Sequence, residues 1–402
     1  MTTVITGREL EETRAAALDA SGWGTPFRIV QWHNACFWVL VLGLLAGAEQ
    51  LVEFYQRGAG AYGTALTVGA IAFSLYTVPW VFLLRRHNRY TSLPARLFVV
   101  AFAWGVLTAT FVMALHANSA AISLEGKLFG HGWIGDWGPG LTAPFTEESA
   151  KATALVLLIG LAPRLVRSPY HGLLIGAFAG LGFQIAEDVL YAYNSAVQSF
   201  GADQAGAALV VVVGRSVTGL TTHALFSAVY CAGLMWLIGR GGAAHRLRGL
   251  LLVAGAMLGH GSVDCLASMG PALGGALGGL AALPGLLAAL GGLVLLSVAS
   301  LLLLRLTFKL ALPQERRWLR DILAPEVAAG LFTQAELTAA TGSRRDRRAF
   351  RRSLHGSDQR RTGKRVLAAV RRLARQLALA QGASTDEVAR AREEVFRLRA
   401  GG

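Results

Sequence analysis

Eight stretches of the chain stay apolar for about 20 residues, the length a helix needs to cross a bilayer core of about 30 Å. They run approximately Asn34 to Glu53, Tyr62 to Leu84, Leu97 to Ala117, Thr142 to Leu161, Tyr170 to Tyr193, Thr218 to Ile238, Leu247 to Met269 and Leu286 to Leu306. The pattern predicts an all-α polytopic bundle over residues 34–311. A polar segment, 1–33, precedes it, and a basic region, 312–402, follows. The run AGAALVVVVG, Ala205 to Gly214, leaves room for a short interfacial or re-entrant helix ahead of the sixth crossing.

Arginine and lysine collect in every second loop. Arg85, Arg86, Arg89 and Arg96 separate the second and third stretches, Arg164 and Arg167 the fourth and fifth, and Arg240, Arg246 and Arg248 the sixth and seventh. The intervening loops hold few cations: Arg57, Lys127, and Arg215 just before the sixth stretch. Cytoplasmic loops accumulate positive charge, so both termini are expected in the cytoplasm, in keeping with an even number of crossings. Met1 to Arg28 shows no apolar run with a small-residue cleavage site, so the first apolar helix is expected to act as its own insertion signal.

Composition narrows the class. Of 402 residues, 53% are hydrophobic and 15% charged, and the mean hydropathy is +0.47. That exceeds what a soluble core of this length requires. Cys36, Cys231 and Cys265 are isolated and form no CxxC spacing, so neither a disulfide framework nor a thiolate metal site is indicated. Beyond Leu312 the balance turns basic: 20 of the 38 Lys and Arg residues lie there against 10 Asp and Glu, which is +10 of the formal +14. KRVLAAVRRLARQLALA, Lys364 to Ala380, has helical spacing, and Ser384 with Glu387 has the spacing of a capping box. The Arg-rich stretch from Arg344 to Arg365 is interrupted by Gly and Ser and reads as a linker or as a face lying on anionic lipid. No nucleic-acid-reading module accompanies the charge, so no specific nucleic-acid partner is expected.

The candidate chemistry lies inside the apolar stretches. A charge at the bilayer centre costs about 2.5–3.5 kcal/mol, yet the fourth stretch carries Glu147, Glu148 and Lys151. Lysine at i+4 and i+3 from the two glutamates can reach either along one helix face. The fifth stretch places Phe183 and Glu187 on a shared face, the sixth carries His223, and the seventh places His260 and Asp264 four apart. Counted along helices of alternating direction, all six acidic and imidazole groups fall in the outer half of the membrane. They are therefore expected to converge on one site.

These residues resemble a known family. EESAK, Glu147 to Lys151, fits an EExxK motif; Phe183 to Glu187 fits FxxxE; His223 and HGSVD, His260 to Asp264, fit the remaining histidine motifs of the PrsW-type intramembrane proteases. That family is similar to the CAAX prenyl proteases and bacteriocin-processing enzymes, whose first motif reads EExxxR and whose second ends in histidine. The resemblance spans the fourth to seventh helices and leaves the Arg-rich tail outside. It implies a glutamate-dependent peptidase of the bacterial plasma membrane, and a single-pass regulatory protein such as an anti-sigma factor as substrate.

Burial away from water makes a carboxylate a better base, and Lys151 can hold one of two adjacent glutamates ionised so that their roles divide. Glu147 or Glu148 is the expected base and the other its orienting partner. Glu187 and His223 would position water or protonate the leaving amine, and His260, steadied by Asp264, would stabilise the oxyanion. HExxH is absent and the similar families include enzymes argued to be metal-free, so no cofactor is expected. The alternative is zinc held by Glu148, Glu187, His223 and His260. The rival from another class is a proton-coupled transporter, whose relays also need buried Glu and His; the run Gly270 to Gly292 reads as close helix packing.

Orientation is directly testable. Single cysteines placed in the Arg164–Arg167 loop should resist an impermeant thiol reagent added to intact cells, and cysteines in the loop carrying Lys127 should react.

Overall fold

The computed structural model describes residues 6–91, 93–240, 245–266, 268 and 285–401. Among the described residues the chain is helical, with no strand. In chain order the helices are α1 (Gly7–Ser21), α2 (Ala35–Gln56), α3 (Ala59–His87) and α4 (Ala95–Trp104). A π-helical stretch, Gly105–Ala114, carries α4 into α5 (Leu115–Phe129). Then come α6 (His131–Leu161), α7 (Pro169–Gln198), α8 (Gln204–Thr218), α9 (His223–Leu237), α10 (Arg246–Asp264) and α11 (Gly285–Ala328). The chain ends in α12 (Gln334–Thr341), α13 (Arg344–Arg352), α14 (Ser357–Leu379) and α15 (Asp386–Ala400).

Six segments are long and apolar enough to cross a membrane: Ala35–Gln56, Ala59–Tyr90, Ala95–Phe129, Pro169–Gln198, Gln204–Leu237 and Leu290–Ala328. Two further expected crossings fall short of that standard. α6 carries Glu147, Glu148 and Lys151, and α10 carries Arg246, Arg248, His260 and Asp264. The charges that mark these helices also lower their hydropathy. The predicted end of the seventh crossing at Met269 lies outside the described residues, as does most of the run Gly270 to Gly292.

α7 is the axis of the bundle. A helix apolar all round belongs in a core, and every residue from Pro169 to Ala186 is buried. Ser168 caps its start by accepting from the His171 backbone N–H, with Pro169 at the first helical position. The outer helices behave differently: in α2 and α3, Leu42, Leu45, Leu75 and Phe82 are exposed, as apolar side chains are where lipid is the solvent. Small residues on α7 let its neighbours approach. A Cβ on Gly176 would meet the Ser227 carbonyl oxygen at 2.2 Å, one on Gly180 the His223 carbonyl oxygen at 2.4 Å, and one on Gly182 the Phe102 carbonyl oxygen at 2.2 Å. Glycine at these sites brings α9 and α4 onto α7, backbone against backbone.

The sixth crossing is broken. α8 and α9 are separated by a turn at Gly219–Thr221, and Thr222 leaves helical geometry with φ −113° and ψ −124°. The run Ala205 to Gly214 is thus the body of α8.

Both chain ends meet at the basic end of the bundle. Arg167 donates to the Asp19 carbonyl at 2.6 Å, Arg240 to those of Pro163 and Val166, and Tyr90 to that of Gly342 at 3.1 Å. α1, the distal part of α11 and α12 to α15 share one apolar core around Leu18, Trp23, Ile322, Leu337, Leu373 and Val388. Two details of the tail differ from expectation. The change of composition at Leu312 falls inside α11, which runs from the membrane into this soluble core as one rod. The Arg-rich stretch is no linker either: it forms α13 and the first turns of α14, since Ser343 caps α13 through a reciprocal box with Asp346. The last helix is capped by Thr385, one residue after the expected Ser384.

Gly180→Val should force α9 from α7 and lower stability by about 1–3 kcal/mol, the usual cost of overpacking. Gly63→Ala, inside α3 where an added methyl meets nothing within 4 Å, should not lower the melting temperature in detergent and should raise it slightly, because alanine is the better helix former.

Candidate active site

The polar residues of α6, α7, α9 and α10 meet at one depth. Glu147 lies fourteen residues before Leu161, His223 fourteen before Leu237 and His260 fourteen after Arg246, about 21 Å from the basic end of each helix. Glu187 lies eighteen residues along α7, about 27 Å from its start. All eight residues singled out from the sequence take part in or border this cluster.

Lys151 is at the centre and is fully buried. Its ammonium donates to Glu148 Oε1 at 2.7 Å, to His223 Nδ1 at 3.0 Å and to Glu147 Oε2 at 3.4 Å. Three donors thus find three acceptors, and the ring of Phe183 covers the remaining side at 4.2 Å. An ammonium can only donate, so Nδ1 of His223 accepts and the imidazole proton sits on Nε2. Nε2 faces Glu187 Oε2 at 2.9 Å.

The two glutamates are held differently. Glu148 receives Lys151 on one oxygen and the Ser227 hydroxyl, at 2.7 Å, on the other. Glu147 receives the Asn118 amide on Oε1 at 3.0 Å, while Oε2 faces His223 Nδ1 and His260 Nε2, each at 3.6 Å. Glu147 therefore turns its freer oxygen toward both imidazoles. Glu187 is tied to Arg215, which donates to it and to Asp188 at 2.5 Å each and lies over the Tyr191 ring. The positive end of α9 also points at the cluster, because the helix begins at His223 itself.

His260 stacks on Phe226, with ring planes 9° apart, and meets His223 edge-on at 5.0 Å. Its nitrogens lie near Glu148 (3.0 Å), Asp264 (3.5 Å) and Glu147, yet neither has hydrogen-bond geometry. A buried imidazole with both nitrogens unpartnered is suited to ligate. Among the described residues, Glu147, His223 and His260 offer ligand atoms within 4.8 Å of one another. It shares His223 and His260 with the expected set and contains Glu147, while Glu148 and Glu187 are held at shorter distances by Lys151, Ser227 and Arg215. Two His and one carboxylate are a donor set that zinc accepts. His223 would join it on releasing Lys151 or Glu187.

Sequence reasoning passed over Asn118, Asp188, Arg215 and Ser227. Arg215 had been counted only as a loop charge, and Asn118 is a neutral amide on a helix outside the motifs. Ser227 carried a signal, since it lies four residues after His223 on the same helix face.

A multi-helix membrane bundle whose buried carboxylates and imidazoles surround one polar site has the architecture of an intramembrane hydrolase. The chain belongs to the PrsW family of intramembrane proteases: the model of the PrsW family intramembrane metalloprotease matches residues 93–304. The protein is thus a multi-pass membrane protease. No curated protein and no solved structure matches the chain.

Removing one partner of a buried ion pair costs about 3–5 kcal/mol. Lys151→Met should lower stability by that amount in a denaturant titration of the purified protein, with helix content kept before the transition.

Proposed function

We propose that the protein hydrolyses a peptide bond of a membrane-bound protein with water activated by Glu147. The observation that carries this reading is the asymmetry of the glutamate pair. Glu148 has both oxygens held by donors at 2.7 Å, whereas Glu147 Oε2 has only the 3.4 Å contact of Lys151 and is turned toward His223 and His260. A base must receive a proton on one oxygen, and the oxygen held by the longer contact gives way more readily. In this reading Glu148 positions Lys151, and Lys151 and Asn118 hold Glu147 in register with the imidazoles. The proton that Glu147 takes from water passes on to the leaving amine, and His223, its Nε2 proton directed to Glu187, positions that water. Arg215 keeps Glu187 ionised as that acceptor, and His260 with Asp264 stabilises the developing oxyanion.

Eight crossings with both termini in the cytoplasm would place this site in the outer half of the membrane. Such a topology counts α6 and α10 as crossings despite their charge. Residues 34–311 then form the catalytic bundle, with 1–33 and 312–402 on the cytoplasmic side. The substrate would be a single-pass membrane protein, for which an anti-sigma factor is a suitable kind.

Glu147, His223 and His260 are the residues that would hold a divalent metal such as zinc, and a bound zinc would supply water acidified into the neutral range. The break between α8 and α9 supports a second reading, a proton-coupled transporter, because unwound turns line transport sites.

The readings separate in reconstituted vesicles containing a single-pass substrate. Glu147→Gln and Glu148→Gln should each slow cleavage by roughly 10²- to 10⁴-fold without loss of folding. Metal content of the purified protein, and cleavage after chelation, assign the role of zinc. Uncleaved substrate together with solute uptake driven by a proton gradient would favour the transporter.

A further inference from the structure

Away from the membrane site, cations gather where the α3–α4 connection meets α13 and α14. A cleft of about 340 Å³ has Arg86 and Arg89 on its membrane side. Facing them are Arg344, Arg347, Arg348 and Arg351 of α13, with Lys364 and Arg371 of α14 completing the wall. The only other lining residue is Leu367. Elsewhere in this soluble part several arginines have carboxylate partners: Arg14 and Arg392 meet Glu326 at 2.8 and 2.7 Å, Arg372 meets Glu394 at 2.5 Å, and Arg399 meets Glu336 at 3.3 Å. Among the described residues no cation of the cleft forms such a pair. Asp346, the one acid on α13, is spent on capping the Ser343 backbone N–H at 2.5 Å.

The cations are also pressed together. Arg89 and Arg347, from opposite walls, donate to the same Tyr90 hydroxyl oxygen at 2.9 and 3.2 Å, and that hydroxyl in turn donates to the Gly342 carbonyl. Arg316 adds its guanidinium over the Tyr90 ring at 5.3 Å. Burial, with Arg89 and Arg347 close by, pushes the Arg371 guanidinium down to about 10. Like charges facing across an interface without a counter-ion oppose the packing in which they are found.

We propose that this cleft is a binding site for a phosphate-bearing anion, which joins the soluble helices to the α3–α4 connection. Several arginine forks converging on one space match the tetrahedral oxygens of a phosphate through paired, charge-assisted hydrogen bonds. The surroundings fit two sources of that group. A neighbouring cavity of about 750 Å³ continues from Arg86 and Arg371 to Leu93, Pro94, Ala95 and Phe98 at the start of α4. There the glycerol and acyl part of an anionic phospholipid would meet apolar surface while its headgroup occupied the cleft. A soluble phosphate compound would use the cleft alone.

The test uses the full-length protein purified in neutral detergent, with binding read as saturable thermal stabilisation. One arm titrates inorganic pyrophosphate; the other adds phosphatidylglycerol to the micelles, with phosphatidylcholine as the neutral comparison. Saturable binding of either anion is expected, and the arm that responds identifies the source. Arg348→Gln with Arg371→Gln should weaken it roughly 30-fold, on the scale of two surface cations. The charge-matched pair Arg361→Gln with Arg397→Gln, outside the cleft, should bind like the parent. Equal weakening by both pairs, or no saturable binding in either arm, overturns the proposal. So does a ligand-free Arg348→Gln and Arg371→Gln variant that unfolds at a lower temperature than the parent, because the cations would then stabilise the fold without an anion.

Discussion

A single buried ammonium organises the membrane half of this protein. Lys151 has no access to solvent, so each of its protons must find an acceptor within the bundle or cost several kcal/mol. The acceptors come from its own helix, Glu147 and Glu148, and from α9, His223. Phe183 of α7 closes the remaining side. Four motif residues from three helices are thereby fixed to one point, and further members attach to them in turn, Glu187 to His223 and Ser227 to Glu148, while His260 lies beside both glutamates without a hydrogen bond. The site is a closed network in which a shift of one helix unpairs charges on two others.

That network requires backbones to come close together, and the glycines of α7 permit it. With Gly176 and Gly180 against the carbonyls of Ser227 and His223, no side chain separates α7 from the helix that carries the imidazole and the hydroxyl. Apolar packing thus sets the distances and the polar network uses them. The break at Thr222 does the rest. It frees His223 from the preceding helix and turns the positive end of α9 toward the carboxylates. Non-helical backbone is tolerated at membrane depth where it borders a protein-lined polar space.

The soluble half obeys other rules. Its helices carry reciprocal caps at Thr6, Thr333 and Ser343, and Arg14, Arg372, Arg392 and Arg399 are matched by glutamates. Cations converge without such matching in the cleft against the α3–α4 connection. α11 couples the two halves mechanically, running as a single helix from the lipid-facing Leu302 to the buried Leu323.

Much of this was readable from the chain. Apolar runs of bilayer length defined the helices, since a spanning segment has to satisfy its own backbone hydrogen bonds. Glu147, Glu148, Lys151, Glu187, His223 and His260 were legible as a cluster because a charge in an apolar helix demands a partner at its own depth. Helical spacing also carried the Lys364 to Ala380 segment. What spacing could not carry was any pairing between helices. Which glutamate keeps the more loosely held oxygen depends on Asn118 and Ser227, neutral residues that give no sign in a hydropathy pattern. Arg215 and Asp188 were hidden for a similar reason: the turn between α7 and α8 that folds one back onto the other is set by packing rather than by any local periodicity. The exchange of Glu148 for Glu147 in the His-rich ligand set has the same origin. Adjacent positions on a helix point about 100° apart, and only the placement of α9 and α10 around α6 brought one oxygen of Glu147 near both imidazoles while Glu148 faces His260.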